Sequence, residues 1–290
     1  MAGKALADDL RCVLDLRGIK CRFPIAMNLK LEDKLALVTG STAGIGLAIA
    51  TSLAREGARV IVNGRTAGRV EQAIQTIRAT QPDAKLEALP IDLSTADGAA
   101  EAVRRFPEVE VLVNNLGIFE PKPFEEIPDA DWLRFFEVNV MSGVRLSRAY
   151  LPKMKARNWG RIVFISSESG LQIPAEMVHY GMTKTAQIAI ARGIAETCAG
   201  TGVTCNAVLP GPTGSEGVKE FVGTLAKQSG LSFAEMEKEF FLKARPTSLL
   251  KRFATPEEVA AMVTFVCSPL ASATNGAALR VDGGVVKSPF

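Results

Sequence analysis

The chain has 290 residues and a net charge of +3, with 47% hydrophobic and 22% charged residues. This is an ordinary globular composition, and the small net charge argues against a dedicated nucleic-acid binder. No run approaches the roughly 18 apolar residues of a membrane span. The five cysteines lie outside C-x-x-C spacing. We therefore expect a reducing, cytoplasmic location, and neither a disulfide framework nor a metal site.

Residues 1–26 differ from the rest of the chain. They hold two of the five cysteines and mix basic with acidic side chains, without the continuous apolar stretch of a signal peptide. Met27 stands just before a clean domain start. We expect residues 1–26 to be an extension that function does not need, followed by one domain over residues 27–290.

Short apolar runs alternate with longer amphipathic stretches after residue 34. Continuous apolar strands separated by helices indicate parallel β-α-β units with right-handed crossovers. The predicted fold is α/β, a single doubly wound Rossmann-type domain with a seven-stranded parallel sheet and helices on both faces. The predicted strands are 35–38, 59–62, 86–89, 109–113, 161–165, 203–208 and 277–281, and the clearest helices are 44–57, 66–79, 130–156 and 179–199.

A glycine-rich loop at residues 39–46 follows the first predicted strand and opens a helix. Glycines let a turn adopt positive φ and let the backbone approach a pyrophosphate at a helix N-terminus. Glycine also serves plain tight turns, but this strand–loop–helix context favours dinucleotide binding.

The end of the second strand bears on the choice of cofactor. An acidic residue there would bind a ribose 2′-OH, whereas an arginine accommodates a 2′-phosphate. The chain has Asn63-Gly64-Arg65 at this point, with no acid. NADP(H) is therefore favoured over NAD(H), the alternative being that Arg65 is only a solvated loop charge.

Lys184 stands four positions after Tyr180, so on a helix the two side chains share one face. A phenol has a pKa of about 10. A nearby ammonium lowers that pKa and would let Tyr180 exchange a proton near neutrality. An ordinary surface pair has the same spacing, so this feature alone does not decide function.

Two more polar features point to the same chemistry. The fifth strand ends in Ser166 and Ser167, where a parallel sheet presents residues to its ligand crevice. A hydroxyl there could stabilise a developing alkoxide, although serines at strand ends also form turns. Asn139 lies inside the long helix, an unfavourable place unless its amide is used.

Together these residues resemble the short-chain dehydrogenase/reductase family in its common single-domain form, over about residues 31–290. The ordered set is specific where each motif alone is not. Tyr180 stands 13 residues after Ser167, the family's usual interval, which selects Ser167 over Ser166. The matching residues are Thr39, Gly40, Gly44, Ile45, Gly46, Asp92, Asn114, Asn115, Leu116, Gly117, Asn139, Ser167, Tyr180, Lys184, Asn206, Pro210 and Gly211.

The resemblance implies a catalytic tetrad of Asn139, Ser167, Tyr180 and Lys184. Tyr180 would be the general acid in reduction, and Ser167 would hold the carbonyl oxygen. Lys184 would bind the ribose hydroxyls of the cofactor and lower the pKa of Tyr180. Asn139 would support a water that relays protons to Lys184.

The resemblance also implies the cofactor contacts and a mobile substrate lid over residues 212–250. Leu116 stands where the family usually has alanine, which would crowd the cofactor slightly, and Ser215 replaces a frequent threonine. The expected cofactor-binding residues are Gly40, Ser41, Gly44, Ile45, Gly46, Arg65, Asp92, Leu93, Asn115, Leu116, Gly117, Tyr180, Lys184, Pro210, Gly211, Thr213 and Ser215.

His179 is the single histidine and adjoins Tyr180. Neighbouring residues on a helix point in different directions, so we interpret His179 as a surface or substrate-rim residue that the chemistry does not need.

The leading hypothesis is an NADPH-dependent carbonyl reductase, or reversibly a secondary-alcohol dehydrogenase, acting on a small molecule. The nearest alternative that the resemblance offers is a 3-oxoacyl-[acyl-carrier-protein] reductase. That subgroup docks its carrier with two arginines; Arg157 lies near one position, but Thr201 falls at the other, which should weaken docking. A sugar or polyol dehydrogenase and a non-catalytic NADP(H)-sensing protein stay open. The resemblance also implies a homotetramer, or sometimes a dimer.

Overall fold

The computed structural model describes residues 27–289, and the predicted extension over residues 1–26 lies outside them. The described chain contains seven strands, each within a few residues of its predicted position. They are β1 (Leu35–Val38), β2 (Arg59–Gly64), β3 (Leu86–Pro90), β4 (Val111–Asn114), β5 (Gly160–Ile165), β6 (Val203–Pro210) and β7 (Ala278–Val281).

Nine α-helices connect or follow these strands in the described residues. The helices α3, α7, α8 and α9 were not among the clearest predicted helices, and the predicted helix over 130–156 is divided between α4 and α5. The bounds are α1 (Gly44–Arg55), α2 (Ala67–Thr80), α3 (Ala96–Arg105), α4 (Asp129–Phe136), α5 (Ser142–Ala156), α6 (Val178–Thr197), α7 (Glu216–Ser229), α8 (Phe233–Lys243) and α9 (Pro256–Cys267).

The strands form one sheet in the order β3-β2-β1-β4-β5-β6-β7, and every neighbouring pair is parallel. This confirms the predicted doubly wound fold. The order reverses between β1 and β4, because the chain builds outward from β1 to β3 and then returns to the other side. Ligands of such sheets bind in the crevice at the carboxyl ends of the strands beside this switch point.

The hydrophobic core lies in two layers, one on each face of the sheet. Alternate residues of a strand point to opposite faces, so Val38 packs in the layer with α1 and α9, and Leu37 packs in the layer with α5 and α6. Because both faces are covered, every residue of β4 is buried. The covered sheet gives the crevice a rigid floor.

A π-helical turn over Glu137–Met141 separates α4 from α5. Asn139 lies at its centre and is buried. Such turns insert one extra residue into a helix and frequently occur at functional sites. The break in the long helix therefore coincides with the residue whose amide was expected to be used.

Candidate active site

The glycine-rich loop leaves β1 and turns over the N-terminus of α1. Gly40 and Gly44 have φ values of +61° and +54°, which glycine adopts without strain. A Cβ at Gly46 would lie 2.4 Å from the carbonyl oxygen of Gly40, so no larger residue fits. The loop therefore brings backbone N–H groups to the start of α1, as anion binding at a helix N-terminus requires.

Hydrogen bonds from two neighbouring strands hold this loop in place. Asn63, near the end of β2, accepts from the N–H of Gly40 at 3.0 Å and donates to the carbonyl of Leu89 at 2.9 Å. Ser41 donates to the carbonyl of Val38 and accepts from the N–H of Asn63. Asn63 and Ser41 thus have structural contacts that preorganise the loop.

The loop after β4 is tied to the same region. The hydroxyl of Thr39 accepts from the N–H groups of Asn115 and Leu116, both at 2.9 Å. The amide of Asn115 donates to the carbonyls of Thr39 and Gly40. Leu116 was expected to crowd the cofactor. Its side chain packs against the core layer that includes α5 and α6. The glycine-rich loop and the loop after β4 therefore form one rigid edge of the crevice.

The expected adenosine end lies beyond β2 and β3. Arg65 is exposed directly after β2. Asp92 follows β3 and accepts from the N–H and hydroxyl of Ser94, while the side chain of Leu93 is buried in the core. Arg69, which the sequence reasoning missed, lines the pocket of about 390 Å³ formed by the glycine-rich loop.

Tyr180 and Lys184 share one face of α6, with the ammonium nitrogen 5.5 Å from the centre of the phenol ring. Lys184 also donates to the carbonyl of Ile165 at 2.9 Å. The side chain of Ser167 lies beside Tyr180 and acts to lower the pKa of the phenol, while its hydroxyl donates to Glu168. Ser166 instead donates to the carbonyl of Lys184 at 2.7 Å. The two serines therefore differ in kind: Ser167 faces Tyr180, and Ser166 fixes the backbone of α6.

Burial sets the protonation state of this pair. It raises the pKa of Tyr180 above its usual value, and the carboxylate of Glu168 raises it further, so the lowered pKa predicted for this phenol is not found. Burial lowers the pKa of Lys184 to about 8. Near neutrality the phenol is therefore protonated and the ammonium is still largely charged, which suits a group that gives a proton to its ligand.

Asn139 reaches the site through other residues. Its side chain accepts from the N–H of Ile118 at 2.8 Å and donates to the hydroxyl of Thr183 at 3.0 Å. Its backbone carbonyl accepts from the amide of Gln187 at 2.6 Å. Lys184 donates to the other end of that amide at 3.2 Å. The buried carboxamide of Gln187 thus connects Asn139 with Lys184, where the resemblance implies a water.

A pocket of about 480 Å³ opens beside Tyr180. Apolar side chains form much of its wall. Ile45 and Asn115 border both this pocket and the pocket formed by the glycine-rich loop. The two pockets therefore belong to one crevice. The predicted residues that line the larger pocket are Ile45, Asn115, Gly117, Ser167, Tyr180, Lys184, Pro210, Gly211, Thr213 and Ser215.

His179 contradicts the expectation of a surface or rim position. It is fully buried. The centre of its ring lies 4.0 Å from the ring centre of Phe135 and 6.0 Å from that of Trp132. Neither ring nitrogen has a hydrogen-bond partner among the described residues. The prediction was wrong because α4 packs over this face of α6, a tertiary contact that helical spacing does not reveal.

Comparison with known proteins decides the family. The family model described as short chain dehydrogenase matches residues 34–225. This chain belongs to the short-chain dehydrogenase family. It belongs to a family of oxidoreductases that act on alcohol and ketone groups, and the predicted resemblance is confirmed.

Relatives match this dehydrogenase over nearly their whole length. The uncharacterized oxidoreductase YvaG of Bacillus subtilis strain 168 is 51% identical, over 91% of this chain and all of its own. The 3-oxoacyl-[acyl-carrier-protein] reductase FabG of Aquifex aeolicus strain VF5 is 34% identical, over 89% of this chain and all of its own. The structure of L-sorbose reductase from Gluconobacter frateurii, complexed with NADPH and L-sorbose, superposes with a TM-score of 0.84 at 30% identity, covering 90% of this chain and 100% of the reductase.

Besides Arg69, sequence reasoning missed four side chains around Tyr180 and Lys184. Gln187 stands one turn beyond Lys184, so its helical spacing was a usable signal. Glu168 directly follows Ser167 and is buried. A charged residue at the end of a strand gives no sequence signal of such burial. Arg245 and Glu176 meet near Glu168 from distant parts of the chain, and no local pattern indicates that contact.

None of this dehydrogenase's helices within residues 27–289 combines the length and the apolar composition that crossing a membrane requires.

Proposed function

We propose that this dehydrogenase is an NADP(H)-dependent reductase of a small carbonyl compound, and reversibly a secondary-alcohol dehydrogenase. The arrangement of Tyr180 carries this proposal. Its buried phenol holds its proton, lies beside the hydroxyl of Ser167 and faces the ammonium of Lys184 in a ligand-sized pocket. A protonated acid next to a second hydroxyl is what the reduction of a carbonyl group needs.

The residues of the crevice fit a dinucleotide. The glycine-rich loop is closely packed, since a Cβ at Gly46 would lie 2.4 Å from the carbonyl oxygen of Gly40. Its N–H groups lie at the N-terminus of α1, where a pyrophosphate binds favourably. Arg65 extends from the end of β2, where no carboxylate competes for a ribose, and its guanidinium suits a 2′-phosphate. These features support NADP(H) over NAD(H).

The remaining predicted contacts would hold the other end of the cofactor. Asp92 and the loop from Asn115 to Gly117 would contact the adenosine, and Lys184 the ribose nearest the pocket. When bound, the nicotinamide supplies or accepts a hydride. The segment from Pro210 to Ser215 would lie against it, because residues 210–213 border the pocket beside Tyr180 and Ser215 borders both that pocket and the one at the glycine-rich loop.

Tyr180 would give its proton to the carbonyl oxygen of the substrate as negative charge develops there. Ser167 would donate a hydrogen bond to the same oxygen; its hydroxyl now donates to Glu168 at 2.5 Å and can rotate toward a ligand. Lys184 would favour loss of the proton by placing positive charge near the phenolate that results. Asn139 would hold Thr183 and, through Gln187, Lys184 in position.

The second candidate is a 3-oxoacyl-[acyl-carrier-protein] reductase, which the similarity to such an enzyme favours. The structure offers weak support for carrier docking. Arg157 donates to the carbonyls of Lys153, Glu108 and Val109, so much of its hydrogen-bonding capacity is used within the protein. Thr201 supplies no positive charge for the carrier. We therefore rank this function second, and an NADP(H) sensor without turnover after it.

We also propose that residues 212–250, which contain α7 and α8, act as a substrate lid, because Val218 and Phe240 border the pocket. The expected assembly is a homotetramer, and the expected location is the cytoplasm. Light scattering of the purified chain measures the assembly directly.

The test of the proposed function is oxidation of NADPH, followed by absorbance, across ketones, aldehydes and 3-oxoacyl thioesters. Tyr180→Phe is the matched variant, because it keeps the ring and removes only the hydroxyl. Turnover that falls by a factor of about 10² to 10⁴ in the variant, with NADPH binding unchanged, supports the proposal. Equal rates in both proteins would refute the role of Tyr180, and NADPH binding without any turnover would favour the sensor.

A further inference from the structure

We propose that Glu168, Arg245 and Glu176 form a substrate subsite for hydroxyl groups, so that the preferred substrate is a neutral hydroxylated ketone or aldehyde. This inference rests on the proposed reductase function and names its substrate class. The three side chains line the same pocket as Tyr180 and Ser167, and none of them gives or takes the proton in the proposed reduction.

The three side chains form a connected cluster. Arg245 follows α8 and donates through Nε to Glu168 at 3.0 Å and through Nη1 to Glu176 at 3.2 Å. The side chains of Arg245 and Glu168 are only 11% and 6% exposed, whereas Glu176 is 50% exposed. The cluster therefore runs from the buried end of the pocket to its rim.

Arg245 has hydrogen-bonding capacity left for a ligand. Its protein hydrogen bonds within the described residues use Nε and Nη1. The two N–H groups of Nη2 are consequently free to bind an oxygen atom that enters the pocket. A buried guanidinium fixed by two carboxylates is a preorganised donor, since its side chain has little freedom left to lose on binding.

The position of Glu168 determines which group of the substrate the cluster can contact. One carboxylate oxygen of Glu168 accepts from Ser167 at 2.5 Å, and the other accepts from Arg245. A carbonyl oxygen held by Ser167 and Tyr180 therefore lies next to the carboxylate. A hydroxyl on the carbon beside the carbonyl would be the group within reach of Glu168 and Arg245.

The charge of the cluster limits the substrate class further. Two carboxylates face one guanidinium, which leaves a net charge of −1. An anionic group at this place would meet repulsion from Glu168 and Glu176, whereas a hydroxyl can accept from Arg245 and donate to a carboxylate at once. The cluster thus favours neutral hydroxylated compounds over both alkyl ketones and oxo acids.

Three methyl ketones of nearly equal size separate these classes. Hydroxyacetone carries the hydroxyl, butanone replaces it by a methyl group, and pyruvate replaces the hydroxymethyl group by a carboxylate. We expect the wild type to show a kcat/KM for hydroxyacetone about tenfold to a hundredfold above that for butanone, as hydrogen bonds to charged groups provide. Pyruvate should be the poorest of the three.

Variants assign that preference to the cluster. Arg245→Met should reduce the hydroxyacetone-to-butanone ratio of kcat/KM by about tenfold or more. Glu168→Gln, which is nearly isosteric and guards against a failure of Arg245→Met to fold, should reduce the same ratio and raise the pyruvate-to-butanone ratio. Arg104→Met is the control, because Arg104 forms an exposed pair with Glu101 outside the pocket; it should change neither ratio.

Two results from an enzyme that turns over these substrates would overturn the subsite. One is a wild type that reduces butanone as efficiently as hydroxyacetone. The other is a pair of variants in which all three substrates slow by the same factor, which would make the cluster a structural support only. In both cases the reductase function stands. If the wild type turns over none of the three, the subsite is refuted, and the wider carbonyl panel then decides the reductase function separately.

Discussion

Lys184 donates to the side-chain oxygen of Gln187 at 3.2 Å, one helical turn farther along α6. The same carboxamide donates to the backbone carbonyl of Asn139 at 2.6 Å. A carboxamide fixed at both ends orients the ammonium and, unlike a carboxylate, leaves its charge uncompensated. The pKa of Lys184, which burial holds at about 8, should therefore respond to the residue at position 187.

Gln187→Glu should raise the pKa of Lys184 by about one to three units, because a neighbouring negative charge favours the protonated ammonium. The alkaline fall in kcat/KM for carbonyl reduction should move to higher pH accordingly. Gln187→Met, which is similar in size and uncharged, should not produce an upward shift. An unchanged pH profile in Gln187→Glu would show that Lys184 does not set the alkaline limb.

Ser167→Ala and Ser166→Ala should separate rate from stability. Ser167→Ala should lower kcat by about a hundredfold to a thousandfold, as loss of one donor to a developing oxyanion does. Ser166→Ala should retain most activity and lower the free energy of unfolding by about 1 kcal/mol, through loss of the buried hydrogen bond to Lys184. Urea unfolding and steady-state kinetics on both variants check this. The opposite assignment of effects would make Ser166 the functional hydroxyl.

Arg65→Met should weaken NADPH binding by about tenfold to a hundredfold, because a charge-assisted contact to the 2′-phosphate is lost. Binding of NADH, which has no such phosphate, should hardly change. Fluorescence titration of both cofactors measures the two dissociation constants. Arg78→Met, at an exposed arginine in the last turn of α2, is the control. Equal weakening of NADPH and NADH binding would contradict a 2′-phosphate role.

Gly46→Ala should lower the free energy of unfolding by about 1–3 kcal/mol and impair cofactor binding. The added methyl group would lie 2.4 Å from the carbonyl oxygen of Gly40 and 2.5 Å from the amide of Asn115. Gly68→Ala is the matched control, since a Cβ there meets nothing within 4 Å. Denaturant unfolding and NADPH titration compare the two, and equal behaviour of both variants would argue against a tightly closed loop.

His179 should make the protein less stable at mildly acidic pH. Burial lowers the pKa of His179, so below about pH 6.5 the unfolded chain binds a proton that the folded chain resists. The free energy of unfolding should then fall as pH drops below about 6.5. In His179→Leu this fall should be smaller, as urea unfolding at neutral and mildly acidic pH would show. An identical pH dependence in both proteins would mean that His179 titrates normally.

The strands could be predicted because both faces of the sheet are covered. Each residue of β5 is buried, and apart from Arg161 near its start the strand is a continuous apolar run. The helix α9 was missed although Thr255, Pro256 and Glu258 carry the pattern of a helix start, and Thr255 and Glu258 form a capping box. That signal was local and could have been used.

Contacts between distant segments limited the prediction of the site. Glu168 and Arg245 are 77 residues apart, and only the fold shows that they meet. Burial of His179 depends on the packing of α4 against α6, and the bridging role of Gln187 depends on where the π-helical turn places the carbonyl of Asn139. Local spacing identified Tyr180 and Lys184 as a pair, but it carried no information on what surrounds them.

The π-helical turn makes the geometry around Asn139 sensitive to chain length. One residue advances an α-helix by about 100°, so deleting a single residue from Glu137–Met141 would leave an unbroken helix whose preceding part is rotated by that angle. A deletion on the N-terminal side of Asn139 would rotate α4 relative to α6. The extra residue is thus a geometric spacer that lets one helix pack correctly at both of its ends.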